Sequence, residues 1–165
     1  MHRESIFSNV AGLTQTREVA NVFLDAQDMN ANGVASWTIG NALLEGQWTA
    51  QAGDAFSYAG SADYVVINAQ AHQTIPQNVG RARPAPVLEL QRSINGGVIW
   101  TTIASGASGY IRDASDHEES SNSIFYRDRT PPAGVLYRLN KRQEALAGSV
   151  DLVTGQFDLE AVTNT

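Results

Sequence analysis

Apolar and polar residues alternate along most of this chain, the period of a half-buried β-strand. Residues 64–71 read Y-V-V-I-N-A-Q-A, with Val65, Ile67, Ala69 and Ala71 on one face and Asn68 and Gln70 on the other. Residues 87–94 place Leu88, Leu90 and Ile94 opposite Glu89, Gln91 and Ser93, and Arg92 interrupts the apolar face. Asn95-Gly96 follows, a dipeptide suited to the positive φ angles of a type I′ turn. Residues 97–104 then return as a strand rich in β-branched side chains, so the pattern predicts a tight hairpin. Two more predicted strands, 124–127 and 135–139, bracket Thr130-Pro131-Pro132-Ala133-Gly134, a turn or loop by its chemistry. Residues 150–153 and 156–162 flank Thr154-Gly155 and predict a closing hairpin, with Phe157, Leu159 and Ala161 on one side.

Helical signals are few. Residues 14–24 fit a helix begun at Thr14 or Thr16, but Val19, Val22, Phe23 and Leu24 serve a strand equally well. Residues 39–48 have room for a turn of helix. Short strands separated by turn signals point to an all-β, antiparallel jelly-roll β-sandwich. Residues 1–20 lack alternation and read as an extended N-terminal arm; residues 21–165 read as the jelly roll.

Composition narrows the function classes. The 165 residues suit one domain with an arm, and the charged share of 17% is well below the usual level of about 25%. Polar surface must therefore come from Ser, Thr, Asn and Gln. A net charge of −6 argues against nonspecific nucleic-acid binding, which depends on neutralising phosphates. The longest uncharged stretches carry Asn, Gln and Gly, so no bilayer span is expected. The first residues have no apolar run of secretory length, so export by that route is not expected either. The absence of cysteine excludes thiol catalysis, cysteine-ligated zinc and disulfides.

Charge is unevenly spread. Asp113, Asp116, Glu118 and Glu119 put four acids into seven residues. Arg127, Arg129, Arg138, Lys141 and Arg142 put five cations into sixteen, against Asp128 alone. Such patches are solvated faces or halves of a complementary contact. Arginine outnumbers lysine ten to one, which suits contacts because the guanidinium forks onto carboxylates.

Motifs for catalysis or cofactors are weak. Asp28-Met29-Asn30-Ala31-Asn32-Gly33 resembles the opening of a calcium loop, but the twelfth position is Ile39 where a bidentate glutamate belongs. A plain turn is the better reading. The acidic run at 113–119 matches no ligand spacing and reads as a solvated loop, although a bound ion stays open. His117 beside Asp116 has no G-x-S-x-G partner, and His72 reads as a structural or edge residue. No phosphate-binding glycine loop and no H-E-x-x-H occurs. Trp37, Trp48, Trp100 and the tyrosines suit sugar stacking in principle, with Trp100 placed in a core by its strand. The reading is therefore of a protein that is not an enzyme and holds no cofactor.

The order of these elements carries a resemblance. The Asn95-Gly96 hairpin, Ser108-Gly109-Tyr110-Ile111-Arg112 and Gly134-Val135-Leu136-Tyr137-Arg138 resemble the trimeric jelly roll of tumour-necrosis-factor-like and complement-globular-head-like domains. Residues 83–138 further resemble small tailed-phage virion proteins that decorate or cement a capsid or tip a head fibre. The resemblance covers about residues 50–162 in pattern. It implies a homotrimer on the virion exterior, made in the host cytoplasm, whose partner is the major capsid protein and which stabilises the head. The alternative it leaves open is a receptor- or carbohydrate-binding head of a phage fibre.

On that resemblance Tyr126 and Tyr137 would be outward-facing anchors of the trimer interface. The acidic 113–119 loop would pair across subunits with the basic 127–142 region, including Arg138 and Arg142. The arm, with Arg3, Ile6 and Phe7, would order on docking to the capsid lattice, with many copies compensating the lost entropy by avidity.

Overall fold

The alternation closes into two antiparallel sheets. The computed structural model describes residues 14–75, 84–109, 111, 119–143 and 149–165. Its strands are β1 (Gln15–Phe23), β2 (Gly33–Val34), β3 (Leu43–Leu44), β4 (Trp48–Gln51), β5 (Ala55–Tyr58), β6 (Tyr64–Thr74), β7 (Pro86–Ser93), β8 (Thr101–Ala107), β9 (Glu119–Arg129), β10 (Val135–Gln143) and β11 (Asp151–Asn164). One sheet runs β3-β1-β11-β6-β9; the other runs β4-β5-β10-β7-β8, with β2 added against β10. Sequential strands repeatedly change sheets, which makes the sandwich a jelly roll. Ile39–Asn41 forms a single turn of 3-10 helix, and Leu43–Leu44 beyond it joins the first sheet.

The core lies where the two inner faces meet. Val65, Ile67, Ala69 and Ala71 of β6 point into it, as their alternation predicts, beside Phe157, Leu159 and Ala161 of β11. Leu88 and Leu90 of β7 and Leu139 of β10 meet them from the opposite sheet. Trp37 stacks on Phe56 with ring centres 4.6 Å apart, and Phe56 lies 5.6 Å from Phe157 across the sandwich.

Long-range contacts overrule several local expectations. Thr154-Gly155 is no turn: β11 runs unbroken past it, with a bulge between Leu152 and Thr154. The glycine marks a close approach, since a Cβ there would sit 2.8 Å from Leu24 Cδ1. β7 and β8 do form a hairpin, but its last ladder pair is Arg92 with Thr101, and residues 94–100 make a longer loop. The Ser93 hydroxyl accepts the Gly97 N–H at 3.0 Å, and Asn95 Oδ1 accepts the Ile99 N–H at 2.9 Å. Those side-chain bonds replace the ladder of a two-residue turn. Trp100 consequently leaves the predicted strand and core. The proline loop at 130–134 joins strands of different sheets rather than a hairpin.

The expected arm also ends earlier. β1 pairs with β11 from Gln15 opposite Asn164 onward, so residues 15–20 belong to the sheet. Ala20 and Val22 are buried, which is why this ambiguous stretch settles as a strand. Arg3, Ile6 and Phe7 lie outside the described residues.

Candidate functional site

The outer face of the five-stranded sheet carries the largest uncovered aromatics. Register aligns three rows across β1, β11, β6 and β9: Phe23–Gln156–Gln70–Ser123, Asn21–Asp158–Asn68–Phe125 and Val19–Glu160–Val66–Arg127. Phe23 is 67% exposed, Phe125 77% and Leu43, at the β3 edge, 57%. Two shallow hollows of about 300 and 450 Å³ lie between them, the first beside Phe23 and His72 and the second beside Leu43 and Val66.

Four charges on this face have partners within the chain. Asn21 and Gln156 both donate to Asp158 Oδ1, and Arg17 pairs with Glu160 at 2.8 Å. The Arg127 guanidinium lies 3.6 Å over the Tyr64 ring. What remains uncovered includes Phe23, Phe125 and Leu43, set among neutral polar side chains such as Gln70 and Ser123. At the sheet's β9 margin the sandwich closes tightly, because a Cβ on Gly106 of β8 would sit 2.3 Å from the Ser123 carbonyl of β9. β8 is the edge of its sheet, and it contains no charged residue.

Polar clamps tie the sheets together inside. Asp128, buried on β9, accepts both Arg92 Nη1, at 2.8 and 3.0 Å, and the Tyr137 hydroxyl at 2.7 Å. Burial foremost, then the bond to Asp128, pushes the Tyr137 phenol far above its ordinary range. That same carboxylate raises the Arg92 pKa. A second clamp joins Tyr58 of β5 to Glu18 of β1 at 2.8 Å. Burial and that bond push Tyr58 up to about 12.

The residues expected at a subunit contact are placed differently. Tyr137 is fully buried within its own chain, so it is no outward anchor. Tyr126 has the inward phase of β9 and packs against the core; the exposed residue beside it is Phe125. The phase of β9 follows from Asp128, which turns inward to serve Arg92 and Tyr137 and brings Tyr126, two residues before it, to the same side. Arg138 and Arg142 do face outward, but from the other sheet. Arg138 donates to Gln91 at 2.8 Å, and Arg142 pairs with Glu89 at 3.0 Å. Lys141 turns inward, donating to the Asp28 carbonyl at 2.8 Å. The basic run is therefore split over two faces rather than forming one patch.

The remaining candidates resolve as follows. Asp28 Oδ1 accepts the N–H groups of Asn30 and Val150, both at 2.9 Å, so this segment is a turn braced by its carboxylate. Trp37 and Trp48 are core residues, and Trp100 sits half-buried with Arg138 4.0 Å over its ring. His72 lies at 3.4 Å from Glu119 on the outer sheet face, whereas His117 and residues 112–118 lie outside the described residues. Among the described residues no three His, Cys, Asp or Glu side chains gather as a metal site. Nor, among them, is any helix long and apolar enough to cross a membrane.

No family model and no curated protein matches this chain. Solved structures do. Eiger TNF from S. frugiperda aligns with a TM-score of 0.54 at 13% identity, covering 89% of this chain and 92% of that one. Murine APRIL, crystallised at pH 5.0, aligns with a TM-score of 0.53 at 12% identity, covering 86% and 98%. The fold is a tumour-necrosis-factor-like jelly roll. At this identity the likeness extends to the fold and not to what those proteins do.

Proposed function

We propose that this chain is a structural, non-catalytic head that works as a homotrimer and decorates a virus capsid by docking on the major capsid protein. The observation that carries the reading is the outer face of the five-stranded sheet, where Phe23 and Phe125 stand uncovered among neutral polar side chains and charges held within the chain at Arg17, Arg127, Asp158 and Glu160. A face of this kind suits another protein surface better than solvent. In the trimer each copy would lay its β8–β9 edge, which is uncharged along β8, on the neighbour's face. Such a head-to-tail contact closes as a ring, leaving no free edge for filament growth. The capsid role is supported by the sequence resemblance over residues 83–138.

Light scattering on the full chain tests the assembly. The expected mass is three times the 17.7 kDa chain, with or without residues 1–13. A single chain mass in both cases overturns the trimer. The variant Phe23→Asp with Phe125→Asp is expected to shift the mass to one chain while retaining the β-sheet circular dichroism. Added to capsids of the encoding virus that lack the protein, the wild-type chain is expected to bind and to raise their disruption temperature.

A further inference from the structure

We propose that Asn95 is a self-modifying site, at which the fold promotes loss of the side-chain amide and leaves an isoaspartyl or aspartyl residue. Two Asn-Gly pairs occur in the chain, Asn32-Gly33 and Asn95-Gly96. Glycine leaves the backbone nitrogen after an asparagine unhindered, so both pairs have the local chemistry for cyclisation. The fold treats them differently.

Asn95 Oδ1 accepts two hydrogen bonds, from the Ser93 hydroxyl at 2.8 Å and from the Ile99 N–H at 2.9 Å. Attack at the side-chain carbonyl carbon turns that oxygen into an oxyanion, and both donors already lie at the distance that stabilises one. Ser93 ends β7 and is buried, so its hydroxyl is held in place before any charge develops. The nucleophile is available too. Among the described residues the Gly96 N–H has no acceptor, and Gly96 takes a φ of 70°. A Cβ placed on Gly96 would meet nothing within 4 Å, so water reaches the reacting atoms. At Asn32 the side-chain oxygen accepts one N–H, that of Gln143 at 2.9 Å, and Gly33 is held in the β2–β10 ladder opposite Lys141.

Water is the only co-reactant. The Gly96 nitrogen bonds to Asn95 Cγ and gives up its proton to solvent. The Cγ–Nδ2 bond then breaks, and Nδ2 takes a proton from solvent and leaves as ammonia. Water opens the resulting cyclic imide at either carbonyl. Opening at the main-chain carbonyl links the chain through the side chain, as isoaspartate, and opening at the side-chain carbonyl leaves aspartate. Either product puts a carboxylate into residues 93–111, which carry no charge beforehand. The new charge lies in the loop that holds the exposed Ile94, Val98 and Ile99, so a neutral apolar loop becomes an acidic one. Isoaspartate also lengthens the backbone and displaces the acceptor of the Ile99 N–H.

The test ages the full chain at mildly alkaline pH, both folded and in guanidinium chloride. Peptide masses with electron-transfer fragmentation then quantify aspartate and isoaspartate at positions 32 and 95. Folded, Asn95 is expected to convert at least about tenfold faster than Asn32, and faster than Asn95 itself in the denaturant, where the two positions convert at similar rates. Ser93→Ala, which removes one donor, is expected to slow Asn95 about tenfold and to leave Asn32 unchanged, with the β-sheet circular dichroism retained. Equal conversion at the two positions of the folded chain overturns the proposal, as does slower conversion of Asn95 in the folded chain than in the denaturant. Faster conversion in Ser93→Ala overturns it as well, because the two hydrogen bonds would then restrain Asn95 rather than activate it. Where Ser93→Ala loses the β-sheet signal, the wild-type comparisons decide alone.

Discussion

Asp128 is the residue on which the two sheets most depend for polar registration. It is buried with two partners from the opposite sheet, so its removal strands the Arg92 cation and the Tyr137 hydroxyl. Asp128→Ala is expected to lower unfolding stability by about 2–4 kcal/mol, read from urea midpoints, with Arg92's partial exposure keeping the loss below that of a fully buried pair. Gly106 is fixed by space rather than dihedral angle. Gly106→Ala pushes a methyl onto the Ser123 carbonyl and is expected to cost about 1–3 kcal/mol. Gly40→Ala, which meets nothing within 4 Å, is the matched control and should leave the urea midpoint nearly unchanged.

At the scale of elements, β1 is anchored to the opposite sheet through Glu18. Its carboxylate accepts the Tyr58 hydroxyl, and its carbonyl accepts Trp48 Nε1 at 2.9 Å. Because Tyr58 titrates at about 12 when folded and near 10 when unfolded, the unfolded chain releases its proton first as pH rises. Stability from this phenol is therefore complete below about pH 10 and declines between about 10 and 12. Thermal melts across that window are expected to show a shallower decline for Tyr58→Phe than for wild type. Tyr137, raised still further, adds to the alkaline loss in both. Strand existence was readable at this scale from alternation in β6, β7 and β11. Strand ends were not: Gly155 and the Asn95-Gly96 pair have turn chemistry, but packing against Leu24 and the Ser93 side-chain bonds decided their geometry.

For the whole molecule, the proposed trimer is held by apolar contact through Phe23 and Phe125, because Arg17, Arg127, Asp158 and Glu160 of the five-stranded face have partners within one chain. Raising salt from about 0.1 to 1 M, which shortens the Debye length from about 10 to 3 Å, is expected to leave the mass at three chains. Arg138→Ala with Arg142→Ala is likewise expected to preserve the trimer, since both arginines lie on the other sheet and bind Gln91 and Glu89 of their own chain. Dissociation of the double variant would move the contact onto the six-stranded sheet, and dissociation by salt would make the contact a charged one. Light scattering distinguishes these outcomes directly.

The sequence by itself determined the all-β class, the inward faces of β6 and β11 and of β7 as far as Leu90, and the resemblance to the jelly roll. These follow from a two-residue period and from the order of strands, which are properties of neighbouring positions. It also identified the Asp28 turn by the chemistry of a few adjacent residues. Only the tertiary structure decided that Tyr137 faces the core, that Phe125 rather than Tyr126 is uncovered, and that the basic run divides between two sheets. It also left Ile94, Val98 and Ile99 on a shaped loop instead of in a strand. The first three depend on which distant residue offers a partner, Asp128 for Tyr137 and Arg92 and Glu89 for Arg142, whereas the loop is shaped by Ser93 and Asn95 close by in the chain. A local pattern can say that a side chain has two faces to choose from, but the contact that makes one choice cheaper is formed across the sandwich.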